Sequence, residues 1–228
     1  MNDPSEGSPR PVLGYWKIRG LASAIRYQLV YSGVPFDEEV YEQGDGPDFS
    51  RAAWDDVKYD QGLTYPNLPY FKDGEYSLTE PAAIHRYIAR KWCPDLLCHD
   101  DAELYGRAEM AWGVVSDLNN YITARMYRDD DKKAIAVAVI PRLAPIAEEL
   151  KGKGVLVGDR LCCADFAFVE LVEKLNFVSD GGIFQVFPSI KRYRDRVFAL
   201  KNLKEYLENL ERCPRLPFNN KEAKINNM

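Results

Sequence analysis

Two short stretches hold the side chains best suited to chemistry. Residues 13–21 read Leu-Gly-Tyr-Trp-Lys-Ile-Arg-Gly-Leu, and residues 65–70 read Tyr-Pro-Asn-Leu-Pro-Tyr. The first has the pattern of a strand that ends by delivering one hydroxyl, that of Tyr15, to the mouth of a helix. A phenol there donates a hydrogen bond to an anion, and the partly positive helix end attracts the same anion. The second carries Pro69 where an ordinary strand takes no proline. It suggests a cis turn that exposes a backbone N–H and C=O to a ligand. A hydroxyl and a free backbone edge together make a site for a small peptide.

Other chemistries find less support. There are five cysteines, Cys93, Cys98, Cys162, Cys163 and Cys213, and two histidines, His85 and His99. The odd count and the absence of a visible secretory leader favour reduced thiols in the cytosol over a disulfide framework. Cys93, Cys98 and His99 form the one cluster near in sequence, but the spacing is wide for a redox pair and two histidines complete no metal site. No metal is expected. The net charge of −5 argues against nucleic acid as a main partner. No apolar run approaches the roughly 18 residues that span a bilayer. Residues 1–11 are polar with three prolines and read as a disordered tail.

The elements that position these residues fall into two kinds. Val12–Tyr15 is an apolar run, and Ala22–Tyr31 has helix formers stopped by Gly33. Phe36–Tyr41 alternates as a strand, and 48–58 reads as a loop or short helix. Leu68–Lys72 and Tyr76–Leu78 flank Asp73-Gly74, a hairpin signal. Pro81–Trp92 is a helix with proline at its first position. The order β-α-β, hairpin, helix predicts a thioredoxin-like α/β domain over residues 12–92. From Asp100 onward only helical periodicity appears, over 101–127, 135–150, 166–177 and 200–210. Residues 100–228 therefore read as an all-helical domain.

Several motifs now carry a resemblance. They are Leu13-Gly14-Tyr15-Trp16 with Ile18-Arg19-Gly20-Leu21, the loop to Trp54 and Lys58, Gly62-Leu63, Pro66-Asn67-Leu68-Pro69-Tyr70, and Ala83-Ile84 with Tyr87-Ile88-Ala89-Arg90-Lys91. The chain resembles the cytosolic glutathione transferases, and within them the mu class. In the helical part the resemblance rests on Asp117, Tyr127, Gly158-Asp159 and Ala164-Asp165-Phe166.

The resemblance implies roles residue by residue. Tyr15 would hydrogen-bond the sulfur of bound glutathione and favour its thiolate, which is the nucleophile. A hydrogen bond to a charged group is worth roughly 1.5–3 kcal/mol, hence about one to two units of thiol pKa. Leu21, at the start of the following helix, adds the helix end. Leu68 before Pro69 would offer backbone groups to the cysteinyl part. Trp16, Trp54, Lys58 and Asn67 match contacts to the glycyl end and backbone. Glu80 and Pro81 stand where the γ-glutamyl carboxylate docks, and Asp117 would reach across a dimer to the γ-glutamyl amine. Tyr127 would line the electrophile pocket in the helical domain. Tyr65 would be an aromatic key inserted into the partner of a two-fold homodimer. Glutathione is then a co-substrate, with no bound cofactor.

Two positions depart from the mu-class pattern. Thr79-Glu80-Pro81-Ala82 replaces a glutamine and serine that grip the γ-glutamyl carboxylate, and Pro81 has neither N–H nor hydroxyl. Cys162 stands three residues before Asp165, where a Ser or Thr usually caps the helix. The leading reading is an enzyme that joins the glutathione thiolate to small apolar electrophiles. A ligand-binding protein of the same fold with weak or lost turnover, and a glutathione-dependent isomerase or peroxidase, are the alternatives.

Overall fold

The apolar residues of Val12–Trp16 form strand β1 at the centre of a sheet, in a computed structural model that describes residues 9–209 and 217–225. Helix α1 (Ala22–Tyr31) crosses back so that β2 (Asp37–Tyr41) pairs parallel to β1. A short helix α2 (Ala52–Asp55) sits in the long connection to β3 (Tyr70–Asp73), which runs antiparallel on the other side of β1. β4 (Tyr76–Thr79) closes the sheet in the order β2-β1-β3-β4. The hairpin pairs Asp73 with Tyr76, so Gly74-Glu75 form the turn, one residue later than the Asp-Gly signal suggested. Gly74 takes φ +60, which a glycine adopts freely. Helix α3 (Pro81–Trp92) starts on its proline. Gly14 is required by packing: a Cβ there would fall inside the Tyr70 ring of the neighbouring strand.

Beyond Trp92 a 3₁₀ turn over Pro94–Leu97 leads into helices. α4 (Ala102–Arg128) begins where the Asp101 carboxylate accepts from the Glu103 and Leu104 N–H groups at 2.8 and 3.0 Å. α5 (Lys132–Glu149) is capped likewise by Asp131 and runs on through Pro141 and Pro145. α6 (Cys163–Val178) is the central helix, buried on nearly every side. α7 (Gly182–Val186), α8 (Pro188–Phe198) and α9 (Lys201–Glu208) follow. The sequence reading has no helix over 182–198. α7 is too short for a periodic signal. α8 is strongly charged, yet Ile190, Tyr193 and Val197 are buried at helical spacing.

Cys162 and Asp165 form a reciprocal capping box at the start of α6, so the thiol stands where a Ser or Thr hydroxyl usually does. The Asp165 carboxylate accepts from the Cys162 N–H at 2.8 Å, the Leu156 N–H at 3.0 Å and the Tyr193 hydroxyl at 2.9 Å. Two polar nodes join the sheet unit to α6. Arg19 donates bidentately to Glu170 at 2.9 and 2.7 Å, with the Tyr27 hydroxyl on the same carboxylate. Gln28 of α1 donates to the His85 carbonyl of α3 at 2.9 Å, and Cys163 of α6 donates weakly to that carbonyl. The sequence reading of a tail over residues 1–11 falls mostly outside the described residues, as does Cys213; Arg10 reaches Asp37 at 3.7 Å.

Candidate functional site

The site is built where β1 gives way to α1. Tyr15 points from the strand end, and its hydroxyl accepts the Leu21 N–H at 3.1 Å. Gly20 makes this approach possible. It takes φ +44, and a Cβ there would stand 2.5 Å from the Tyr15 hydroxyl oxygen. Burial pushes the Tyr15 phenol up to about 12, against a smaller downward pull from the Leu21 N–H. The group therefore stays protonated at neutral pH and keeps one O–H to donate. Since Leu21 already fills an acceptor position, that O–H is what a ligand meets.

Tyr127 of α4 lies on the helical side, where its phenol adds a little to the upward push on Tyr15. Its hydroxyl accepts the Asn220 N–H at 3.1 Å. Asn220 belongs to a C-terminal segment that sequence reasoning passed over. Residues 217–225 return to the β1–α1 turn: the Arg19 and Gly20 N–H groups donate to the Pro217 and Phe218 carbonyls at 2.8 and 3.0 Å. Arg19 lies over the Phe218 ring at 4.4 Å. Lys221 pairs with Asp45 at 2.7 Å and Glu42 at 3.3 Å. The segment thus straps the β1–α1 turn beside Tyr15 to Tyr127 of α4. Its buried Phe218 and Ile225 were the available signal.

A second group gathers at the β3–α3 corner. The Leu68–Pro69 bond is cis. The Leu68 N–H, expected to face a ligand, donates instead to the Asn67 side-chain oxygen at 2.9 Å. The Asn67 amide donates to the exposed Glu80 carboxylate at 3.3 Å. Glu80 itself holds φ +71, and Pro81 opens α3 without an N–H. The structure thus brings together Asn67, Leu68, Pro69, Glu80 and Pro81. Thr79 ties the group to the Tyr65 carbonyl at 3.0 Å.

Trp16, Trp54 and Lys58 stand in a third place. Trp54 is buried, stacked on Tyr70 and edge-on to Tyr41. Trp16 is buried with Arg51 over its ring. Lys58 pairs with Asp55 at 3.0 Å, so a carboxylate already engages its ammonium. Asp117 lies apart, exposed on α4. Tyr65 is 76% exposed. Cys93, Cys98, Cys162 and Cys163 are free thiols, and among the described residues no three His, Cys, Asp or Glu side chains converge to hold a metal. No described helix is long and apolar enough to cross a membrane.

The family described as the N-terminal domain of glutathione S-transferase matches residues 11–90, and that described as its C-terminal domain matches residues 116–210. The chain belongs to the glutathione S-transferase family. It is 33% identical to human glutathione S-transferase Mu 3 over 228 residues, covering 95% of each chain. It is 34% identical to bovine glutathione S-transferase Mu 1 over 206 residues, covering 89% of this chain and 93% of the other. The crystal structure of the glutathione S-transferase Blo t 8 superposes with a TM-score of 0.83 at 26% identity, over 94% of this chain and 99% of that one. This glutathione transferase is thus similar to the Mu enzymes along nearly its whole length, and both the sheet unit and the helices share the family fold.

Proposed function

We propose that this glutathione transferase activates the glutathione thiol through Tyr15 and joins the thiolate to small electrophiles held against Tyr127. The observation that carries the reading is the Tyr15 hydroxyl. It is buried at the strand end, kept protonated, and oriented by the Leu21 N–H at the start of α1. A neutral O–H donor beside a helix N-terminus lowers the cost of a thiolate and has no other visible task. The protein then needs no covalent intermediate of its own. The sulfur attacks the electrophilic carbon, a new S–C bond forms, and the leaving group or π electron pair departs from that carbon. Residues 12–92 bind glutathione in this reading, and residues 100–228 supply the electrophile pocket.

The corner of Asn67, Leu68, Pro69, Glu80 and Pro81 is the dock for the peptide backbone and γ-glutamyl end. For Leu68 to pair with the ligand, its N–H must leave Asn67, a one-for-one exchange of hydrogen bonds. Trp16, Trp54 and Lys58 frame the glycyl end, with Lys58 turning from Asp55 to the ligand carboxylate. Asp117 completes the site from a second copy of the chain, which makes a homodimer part of the proposal. The free thiols are in keeping with a reducing, cytoplasmic setting and a detoxifying role.

The test is Tyr15→Phe. Turnover with an activated aryl chloride should fall at least about tenfold at pH 6.5, equal to roughly 1.4 kcal/mol of lost transition-state stabilisation. Glutathione affinity should persist, and turnover should partly recover at high pH, where the thiol ionises unaided. A variant with full turnover at pH 6.5 removes Tyr15 from the role of activator.

A further inference from the structure

Gly14 leaves a gap in the middle of β1, and a side chain from the next strand reaches through it. The register sets Gly14 between Glu39 of β2 and Tyr70 of β3, and Trp16 beside Tyr41 of β2. Residues paired in this way share a face, so all of them lie on one side of the sheet. A Cβ on Gly14 would stand 2.0 Å from the Tyr70 ring. Without it the phenol crosses β1 and donates to the half-buried Glu39 carboxylate at 2.5 Å. The Tyr41 hydroxyl donates to the other carboxylate oxygen at 2.7 Å, and the two phenol oxygens stand 3.0 Å apart. Each phenol has one hydrogen, and both hydrogens go to Glu39. Burial raises the Glu39 carboxyl, but the Tyr70 and Tyr41 hydroxyls and Lys72 outweigh it and leave the group below its usual range. It is therefore the ionised acceptor that both hydroxyls need.

The two rings held in this way seat the indoles. Trp54 of α2 stacks on Tyr70 with centroids 6.0 Å apart and planes at 27°, and meets Tyr41 edge-on at 5.1 Å. Trp16 meets Tyr41 edge-on at 6.5 Å. Stacked and edge-on pairs are the favoured aromatic geometries, and they fix a ring's tilt as well as its place. Among the described residues neither indole N–H has an acceptor, yet neither is a buried unpartnered atom, so each still meets solvent. Both N–H groups are thus open to a ligand oxygen. The orientation of both indoles leads back, ring by ring, to one carboxylate.

We propose that Glu39 is a positioning residue for the C-terminal end of the bound peptide: its carboxylate locks Tyr41 and Tyr70, and through them holds the Trp16 and Trp54 indoles at the angle that receives the glycyl carboxylate of glutathione. The proposal rests on these two indoles framing the glycyl end. Donors held in place before the ligand arrives lose less freedom on binding, so a locked pair of indoles binds the carboxylate more tightly than a loose one. Glu39 has no part at the sulfur. It sets the affinity for one end of the peptide and leaves the chemical step to Tyr15.

Two thiols separate this role from simple support of the fold: glutathione, and γ-glutamylcysteine, which has the same thiol and no glycine. KM for each is measured with an activated aryl chloride at saturation. The wild type should take glutathione with a KM at least about tenfold lower. Glu39→Met keeps the length of the side chain and removes both acceptors. It should raise the KM for glutathione at least about fivefold with kcat unchanged, and leave that for γ-glutamylcysteine within about twofold. Glu39→Gln should restore most of the loss, because the amide accepts from one phenol and donates to the other. A Tyr41→Phe, Tyr70→Phe double variant removes both hydroxyls and keeps both rings. It should reproduce the selective loss, and it carries the test if Glu39→Met does not fold. A preference for glutathione that survives these variants overturns the proposal while the glycyl reading stands. An equal loss with the two thiols also overturns it, since the carboxylate then only supports the fold. Equal use of the two thiols by the wild type overturns both. If neither thiol is turned over, the conjugation reading fails separately, and titration calorimetry with the same two peptides makes the same comparison on dissociation constants; equal or absent binding overturns the proposal.

Discussion

At the scale of single residues, Glu80 and Pro81 pose the sharpest question, because both depart from the mu-class pattern at the proposed γ-glutamyl dock. Glu80 holds φ +71, a region that favours glycine, and its exposed carboxylate takes the Asn67 amide at 3.3 Å. Pro81 removes an N–H from the first turn of α3, and with it one donor to an incoming carboxylate. Restoring both donors with Glu80→Gln and Pro81→Ser should tighten glutathione binding by about tenfold, since a hydrogen bond to a charged group is worth roughly 1.5–3 kcal/mol and water replaces part of it. Titration calorimetry on both proteins checks it; an unchanged or weaker constant in the double variant means that the ligand is gripped elsewhere. Tyr15 at a strand end and Pro69 in a cis turn were legible in the sequence because local geometry dictates them; the close approach of Tyr15 that requires Gly20 was not read there. Nor was the Arg19–Glu170 pair: its two partners stand 151 positions apart in the chain, and no local pattern shows that.

At the scale of elements, α1, α3 and α6 meet at a polar node of Gln28, His85 and Cys163. His85 is fully buried there, hydrogen-bonded to Gln28 and edge-on to Trp112. Burial lowers its imidazole to about 3, with Arg86 adding to the shift. The folded value lies below the unfolded one of about 6.5, so the contribution of the neutral ring is complete above about pH 6.5 and is lost as the pH falls toward 3. Urea unfolding should therefore show a steep loss between pH 7 and 4.5. In His85→Gln that loss should be smaller by about 2–3 kcal/mol, two pH units at roughly 1.4 kcal/mol each. Parallel losses in the two proteins would show that His85 does not titrate on unfolding. The element order to α3, and α4 to α6, were readable from periodicity, caps and hairpin chemistry. α7 and α8 escaped because a five-residue helix has no period and because α8 shows mostly charge. The strap of residues 217–225 escaped because it has no regular secondary structure; its order comes from the Arg19 and Gly20 N–H groups and from Tyr127.

At the scale of the whole molecule, one chain leaves both an aromatic and a groove uncovered. Tyr65 stands 76% exposed in the loop before β3, its carbonyl fixed by Thr79. Between α4 and α5 lies an apolar cavity of about 290 Å³ lined by Met110, Val114, Pro145 and Ile146 among others. Met110 and Val114 are 65% and 47% exposed, and Asp117 follows them at helical spacing on the same face of α4. Solvent-facing apolar side chains at such a groove are costly unless something covers them. A two-fold pairing in which each Tyr65 enters the other copy's groove covers both features and turns each Asp117 toward the partner. Removing a buried aromatic costs about 3–5 kcal/mol, and the two-fold axis uses the key twice. Tyr65→Ala should then weaken dimerisation at least about a hundredfold and shift light scattering toward the monomer at micromolar protein. Val114→Asp, which places a charge in the groove, should do the same from the other side. Because Asp117 would serve the neighbouring site, glutathione affinity should fall along with the dimer fraction on dilution of Tyr65→Ala. A wild type that scatters as a monomer at micromolar concentration would refute the pairing, and with it any role for Asp117 in binding the γ-glutamyl amine.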